Sequence, residues 1–373
     1  MTSSTFSPKT EREALLILNA VPGLGNRRTF DLIQHLGSAR KIFELSSEDL
    51  AKLCGLPETV FLNLHHFPAE EFLKKEEELL KEHGVRVLTF LDTEYPEGLK
   101  HIVDAPVVLY VAGVFPEDLE YSLAIVGSRN ASLYGLETAE RFACELAELG
   151  RPIISGLARG IDAAAHRGCL KAGGQTVAVL GNGLDVVYPP ENRKLFEAIR
   201  HKGAIVSEFP LGTEPFPYNF PRRNRIVSGL AAGVLVVEAN LKSGALITAE
   251  FALEQGKDVF AVPGRIDSPQ SGGPHNLIRQ GAKLVLSVGD ILEELPILPL
   301  PVGEGGYAKR SEPLLELGVQ EARLMEILRE GERSLDELEM STGLSVSLLM
   351  PTLLSLQIRR LVREKLGKVY EVI

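Results

Sequence analysis

The sequence predicts an α/β fold built on an open parallel sheet, and three observations carry that reading. Short apolar runs recur at 123–126, 152–154, 176–180, 233–237 and 258–262. Most are followed by a stretch of helical periodicity; in the first, at 134–149, Leu136, Ala139, Phe142, Ala143, Leu146 and Leu149 share one face. Strands that alternate with helices and lack an in–out alternation of their own are those of a parallel sheet buried on both faces. Finally, each run ends on small residues, donors or cations: Gly127-Ser128-Arg129, Ser155-Gly156-Leu157-Ala158-Arg159-Gly160, Gly181-Asn182-Gly183, Glu238 through Lys242-Ser243-Gly244, and Pro263-Gly264-Arg265. In an open α/β sheet, ligands bind in the crevice outside the carboxyl ends of the strands. The helix after the first run should offer its N-terminal N–H groups there, with Arg129 beside them, an arrangement suited to phosphate.

The composition bounds the possibilities. A chain of 373 residues has room for two or three domains, and 45% hydrophobic with 24% charged residues is ordinary for a soluble globular protein. Three cysteines, Cys54, Cys144 and Cys169, form no CxxC pair, so a disulfide framework is not expected and a reducing cytoplasm fits. No apolar run reaches membrane-spanning length, and the stretch 1–10 is polar without a signal core. The net charge of −10 excludes a basic signature of the whole chain for nucleic acid but not a local basic groove, since screening limits its reach to about 8 Å. Such a groove has a source in 191–225, with seven Lys/Arg against four Glu, densest at Arg222-Arg223-Asn224-Arg225.

Four segments follow from the chain in order. Residues 1–68 read as a small helical domain, in which Val21-Pro22-Gly23-Leu24-Gly25-Asn26-Arg27-Arg28 resembles the turn of a helix-hairpin-helix and a degenerate copy surrounds Gly55-Leu56-Pro57. With charge from Arg27 and Arg28 alone, packing is the stronger reading of that domain and DNA contact the weaker. Residues 69–295 form the core: a charged helix at 69–83, strands at 85–90 and 107–111, then the strand–helix units. Residues 296–312 are a linker, the stretch 296–313 carrying four Pro and three Gly. Residues 313–373 read as three helices, at 321–330, 334–341 and 345–357, and a hairpin on either side of Gly367, which together make a winged helix. The third of these helices has no Lys or Arg, and the segment 313–373 holds eight Lys/Arg against ten Asp/Glu, so it is not expected to read DNA sequence.

Catalytic signatures are sparse. No P-loop, HExxH, clustered Cys/His set or GxSxG occurs, and Val186 stands where a dinucleotide fingerprint needs its third glycine. Asp162 and His166, four residues apart, read as a hydrogen-bonded pair on a helix surface. Neither metal nor cofactor is expected. The stretch Phe216-Pro217-Tyr218-Asn219-Phe220-Pro221-Arg222-Arg223-Asn224-Arg225 puts rings and cations on one short loop, the combination that binds a single strand without reading its sequence. Its prolines should stiffen the loop and keep the rings exposed. Consecutive residues cannot all face one ligand, so one of the three arginines should be structural.

Taken together, Ile125-Val126-Gly127-Ser128-Arg129, Ser155 through Asp162, Gly183-Leu184-Asp185-Val186-Val187-Tyr188-Pro189, Ser207-Glu208-Phe209-Pro210, Asn219 through Ile226, Lys242 through Ala249, Ala261-Val262-Pro263-Gly264 and Leu277 through Ala282 resemble the DprA/Smf DNA-processing family. The resemblance implies an extended Rossmann-like core flanked by an N-terminal helix-hairpin-helix/SAM-like domain and a C-terminal winged helix. It implies a cytoplasmic protein without catalysis that binds single-stranded DNA, protects it and loads RecA recombinase in natural transformation. The DNA-binding residues expected are Gly127, Ser128, Arg129, Ser155, Gly156, Arg159, Gly160, Asn182, Phe220, Arg222, Arg223, Asn224, Arg225, Lys242, Ser243 and Gly244. A homodimer through His275, Ile278 and Leu284 is also expected, since Leu284-Val285-Leu286 reads as an edge strand. One departure is that Phe216, Pro217 and Tyr218 stand where many members carry a basic residue. An alternative is kept: Ser243 through Glu250 loosely resembles the motif of nucleoside-monophosphate phosphoribohydrolases on a related core, with Glu250 as a catalytic carboxylate, although that motif's double glycine is missing.

Overall fold

The computed structural model describes residues 6–46, 50, 57–296, 319–329, 331–344, 349–353, 356, 362–365 and 368–372. The chain divides into two compact units, Met1–Pro299 and Leu300–Ile373.

The first unit opens with helices α1 (Glu11–Ala20), α2 (Gly25–Leu36), α3 (Glu58–His65) and α4 (Ala69–His83). Thr10 caps α1 by accepting from the Glu13 N–H at 3.1 Å, which satisfies one of the donors orphaned at a helix start. Leu15, Ile17 and Leu32 of these helices are buried in one cluster with Val108, Tyr110 and Ile205 of the sheet. The N-terminal helices therefore share a core with the sheet.

The sheet and its helices follow as β1 (Arg86–Thr89), α5 (Glu97–Lys100), β2 (Val108–Gly113), β3 (Leu123–Val126), α6 (Leu133–Glu148), β4 (Ile153–Ser155), α7 (Ile161–Lys171), β5 (Thr176–Val179), α8 (Arg193–Lys202), β6 (Ala204–Ser207), α9 (Asn219–Leu230), β7 (Gly233–Val236), α10 (Gly244–Glu254), β8 (Asp258–Ala261), α11 (Gly272–Arg279), β9 (Lys283–Leu284) and α12 (Val288–Leu292). Nine strands run in the order β1-β2-β6-β5-β4-β3-β7-β8-β9. From β6 to β9 all neighbours are parallel, for example Ala124 opposite Ile154 on one side and Val234 on the other. Every residue of β3, β4, β5 and β7 is buried, as a sheet covered on both faces requires. The chain winds outward from β3 through β4, β5 and β6, then returns to β7 on the other side. That reversal makes the gap between β3 and β7 the topological switch point of a Rossmann-like sheet.

Three expectations are corrected. The sheet is mixed: β1 pairs antiparallel with β2, and β2 antiparallel with β6, with Ala112 opposite Ile205. Strand β6 escapes the sequence pattern because its short apolar run, Ala204-Ile205-Val206, is not followed directly by a helix, the next starting at Asn219. The stretch 216–225 is not one loop, because α9 begins at Asn219. Pro221 is compatible with that helix because it falls in the first turn, where the N–H it lacks would have had no partner.

The second unit holds α13 (Val319–Arg329), β10 (Arg333–Ser334), α14 (Leu335–Thr342), helical residues at 349–353, β11 (Val362–Lys365) and β12 (Val369–Val372). Its sheet is antiparallel in the order β10-β12-β11, and Leu324, Leu328, Leu338, Leu349, Leu353 and Tyr370 form its core. Ser334 and Glu337 form a capping box that starts α14. The expected linker beyond Pro296, the copy of the glycine turn at Gly55-Leu56, Cys54, and parts of the expected helix 345–357 and hairpin lie outside the described residues. Among the described residues no helix is long and apolar enough to cross a membrane.

Candidate nucleic-acid interface

A cleft of about 480 Å³ opens at the switch point. The turn after β3 supplies Gly127, Ser128, Arg129 and Asn130; the turn after β4 supplies Gly156 and Ala158, and the first turn of α7 supplies Asp162. Phe220, Arg223 and Asn224 come from α9, and Ser243, Gly244 and Thr248 from the start of α10. Tyr188, Asn240, Gln270, Pro215 and Pro217 complete the wall.

The turns fit together because two of their glycines have no side chain. A Cβ on Gly127 would stand 2.6 Å from Ile161 Cγ1 and 2.8 Å from Glu238 O. Gly160 adopts φ +74°, and a Cβ there would strike the backbone of Ser128 and Arg129. The turns are tied by Ser128 N–H donating to Glu238 O at 2.6 Å and Ile161 N–H to Ser128 O at 3.2 Å. Buried Leu157 holds a left-handed φ of 56°, a strained conformation for a residue with a side chain, and its carbonyl accepts from Asn192 Nδ2 at 2.9 Å.

Arg129 is exposed and has no ion-pair partner among the described residues. Its guanidinium carbon lies 5.1 Å from the centroid of the half-buried Phe220 ring, and Tyr188 leans on the same ring with centroids 5.7 Å apart. A cation over a ring, beside small residues, is a contact surface for a phosphate and a base.

Below it lies a buried polar floor. Arg223 donates to the carbonyls of Gly156, at 2.7 Å, and Val179. Burial lowers its pKa to about 10, so it stays cationic at neutral pH. Asp162 accepts from the N–H groups of Gly156 at 3.2 Å and Ala158 at 3.4 Å. Burial pushes its carboxyl above the usual range, against the pull of Arg223, those N–H groups and Arg129. His166 is not paired with Asp162 on a surface, as its spacing implied: both are buried, and His166 Nδ1 meets Thr176 Oγ1 at 2.7 Å. Burial first, with the charges of Arg223 and Arg167, lowers the His166 pKa to about 3, so it is neutral.

The expected residues divide. Gly127, Ser128, Arg129, Gly156, Phe220, Arg223, Asn224, Ser243 and Gly244 line the cleft. Gly160 shapes it from behind, and Lys242 is exposed beside Ser243 without lining it. Others lie away from it. Ser155 is buried, its hydroxyl donating to Ile125 O at 2.6 Å, and Asn182 is buried, its amide donating to Gly183 O and Val186 O. Arg159 lies off the cleft in an ion pair with Glu191. Arg225 is buried between Glu208, at 2.7 Å, and Asp104, at 3.1 Å. Arg222 projects from the other side of α9, into a different cleft.

The helix N-terminus facing the cleft is also not the expected one. At the start of α6, Ser132 Oγ accepts from Gly135 N–H at 3.1 Å, and buried Glu238 accepts from Ser132 N–H at 2.8 Å. A carboxylate therefore already occupies that N-terminus. The N-terminus that lines the cleft is that of α10, opening on exposed Gly244, whose carbonyl accepts from Asn224 Nδ2 at 3.1 Å. Tyr188, Asn130, Asp162, Asn240 and Gln270 line the cleft although the sequence does not single them out for it. Of these, Tyr188 carries a signal, as the aromatic of a glycine-led strand end. Glu250 is exposed and off the cleft, which removes it from the position a carboxylate acting there would need.

The expected pairing surface lies at the far side of the sheet. β9 is an edge strand, Leu284 is 43% and Leu286 68% exposed, Ile278 is half-buried, and His275 Nε2 lies 3.0 Å from Gly264 O.

Comparison with known proteins agrees with this architecture. A family profile described as DNA recombination-mediator protein A matches residues 86–296. The Escherichia coli protein Smf is 52% identical over 202 residues, a match that spans 54% of this chain and 54% of that protein, about half of its length. The X-ray structure of DNA processing protein A from Streptococcus pneumoniae superposes with a TM-score of 0.68 at 38% identity, covering 79% of this chain and all, 100%, of the other. The Helicobacter pylori protein of the same name, whose structure is described as giving insight into its single-stranded DNA binding mode, gives 0.50 at 29% identity over 56% of this chain and 94% of its own. The chain belongs to the DNA recombination-mediator protein A (DprA/Smf) family.

Proposed function

We propose that the chain binds single-stranded DNA in the switch-point cleft, shields it, and delivers it to the RecA recombinase in natural transformation and recombination, without chemistry of its own. One observation carries the reading: Arg129 stands exposed over the Phe220 ring at the mouth of a cleft lined by small residues and a helix N-terminus. Stacking and phosphate contact tolerate any sequence, which suits a protein that accepts incoming strands of all kinds. The single-strand binding of the Helicobacter pylori relative supports it. The protein acts in the cytoplasm, with no cofactor, as a homodimer paired through His275, Ile278 and Leu284 at the edge strand β9; Ile278→Arg should give a folded monomer by light scattering.

The N-terminal helices act as a helix-hairpin-helix/SAM-like module and the second unit as a winged helix that reads no sequence. The three-stranded antiparallel sheet of the second unit supports the latter, and cations on its strand β11 already have partners. Arg363 pairs with Glu371, and Lys365 lies 2.7 Å from both Glu332 and Glu371. A chain ending at Pro296 should keep most of its single-strand affinity.

Fluorescence anisotropy with single- and double-stranded oligonucleotides at two salt concentrations tests the proposal. Preference for the single strand, weakening with salt, is expected. Absence of single-strand binding, or release of base from AMP, would contradict it.

A further inference from the structure

A second cleft, of about 820 Å³, lies on the other side of the segment 215–222. One wall is the α1–α2 turn with Arg27 and Arg28; the other holds Phe216, Tyr218 and Arg222. We infer that this cleft carries the continuation of the same DNA strand, so that the protein grips single-stranded DNA on both sides of one ridge. The inference rests on the function proposed above.

The ridge is what joins the clefts. Pro215, Pro217 and Phe220 face the first cleft, whereas Phe216, Tyr218 and Arg222 face the second. Phe216 and Tyr218 are 45% and 65% exposed, with rings parallel to within 4° and centroids 5.5 Å apart. Two large rings held in water side by side form a platform for bases, and stacking needs no sequence. Arg27, Arg28 and Arg222 are all exposed around it. Asp104 on the wall shares buried Arg225, at 3.1 Å, with Glu208, so four arginines, Arg27, Arg28, Arg222 and Arg225, meet three carboxylates, Asp31, Asp104 and Glu208, an excess of one positive charge. Arg222 also leans toward Glu208 at 3.6 Å, but that buried carboxylate holds Arg225 more closely, at 2.7 Å. A strand leaving the first cleft therefore meets rings and cations again directly across the ridge.

The second cleft is also preformed. Gly23 and Gly25, at φ +83° and +71°, make the α1–α2 turn. Asn26 Nδ2 donates to buried Glu208 at 2.9 Å, Asn19 Nδ2 to Glu208 O at 2.8 Å, and Asn26 Oδ1 accepts from Val107 N–H at 3.1 Å. Glu208 also binds Arg225 of α9 at 2.7 Å. The glycine turn is thus clamped to the same helix that lines the first cleft, so little ordering is left for binding to drive. The packing role expected for these helices and a DNA-contacting role coexist: one face of α2 packs, and its start borders the cleft.

The test uses the full chain and oligothymidylates of about 5 and about 16 nucleotides, lengths near the two ends of the roughly 4–16 nucleotides that single-strand sites span. Two double variants, Phe216→Ala/Tyr218→Ala and Arg27→Ala/Arg28→Ala, change exposed side chains and are checked for folding by thermal melting. Both should bind the short oligomer as the parent does. The ring variant should bind the long one at least about fivefold more weakly, the low end for a lost stacking contact. The arginine variant should flatten the salt dependence for the long oligomer by up to about 1.4 in slope, about 0.7 per contact. If long-oligomer binding is unchanged in both while Arg129→Ala still weakens it, the second cleft is not on the path and the first reading stands. Equal losses on both lengths also overturn the inference. No single-strand binding by the parent chain overturns both readings.

Discussion

Strands β3 and β4 end in the same way: an apolar run, a small residue and glycine, an arginine, then a helix. Yet Arg129, after β3, stands over Phe220 in the cleft with no ion-pair partner among the described residues, whereas Arg159, after β4, is bound to Glu191 outside it. The difference lies in position within the sheet. β3 borders the switch point, where the strand order reverses between β3 and its parallel neighbour β7 and the crevice opens. β4 lies one strand away from that reversal, and although its turn reaches the cleft with Gly156 and Ala158, its arginine turns aside to Glu191. The β4–α7 unit supplies backbone, a buried carboxylate and a neutral histidine beneath the cleft. The β3 unit supplies the charge that reaches out. Equivalent sequence motifs thus divide into support and contact according to strand order.

The largest expected effect lies in the support. Arg223→Ala leaves the buried carbonyls of Gly156 and Val179 without their donor and should destabilise the fold by about 2–6 kcal/mol, about 1–3 for each buried group left unsatisfied. Denaturant melting measures this; a fully stable variant would mean that Arg223 is held for DNA alone. Next, Phe220→Ala should weaken single-strand binding by about 1–3 kcal/mol for one base, leaving the salt slope unchanged. Collapse of its melting temperature instead would assign the ring to the core. Smaller again for each pH unit is the response of His166. Its folded pKa, about 3, is depressed below an unfolded value near 6.5, so the unfolded chain binds the proton more readily between them. Stability should therefore fall as pH drops below about 6.5, by up to about 1.4 kcal/mol per pH unit. His166→Leu should flatten that part of the pH profile; an unaltered slope would show that His166 does not titrate on unfolding.

Much of the core is legible in the sequence because strands buried on both faces are nearly continuous apolar runs, and the helices after β3, β4 and β7 follow them directly. Gly127, Arg129, Ser243 and Gly244 are readable for a related reason: they stand at strand ends or helix starts, where the sequence itself marks the boundary. What stays hidden depends on partners far along the chain. Nothing near Ser132 shows that Glu238 occupies the start of α6, and nothing near Arg225 shows that Glu208 and Asp104 enclose it. Tyr188 and Gln270 reach the cleft only through the packing of separate loops. Strand β6 is hard to see because its run, no longer than that of β4, is not followed directly by a helix that would mark a strand–helix unit.

The contrast between the two arginines is tested most directly by titrating Arg129→Ala and Arg159→Ala against the same single-stranded oligonucleotide over a range of salt concentrations. Both side chains are exposed, so both variants should fold like the parent. Arg129→Ala should lose about 1.5–3 kcal/mol of binding, as for a charge-assisted hydrogen bond, and its salt slope should flatten by about 0.7. Arg159→Ala should match the parent in both affinity and slope. Equal losses in the two variants, or a loss confined to Arg159→Ala, would contradict the assignment of the DNA contact to the switch point.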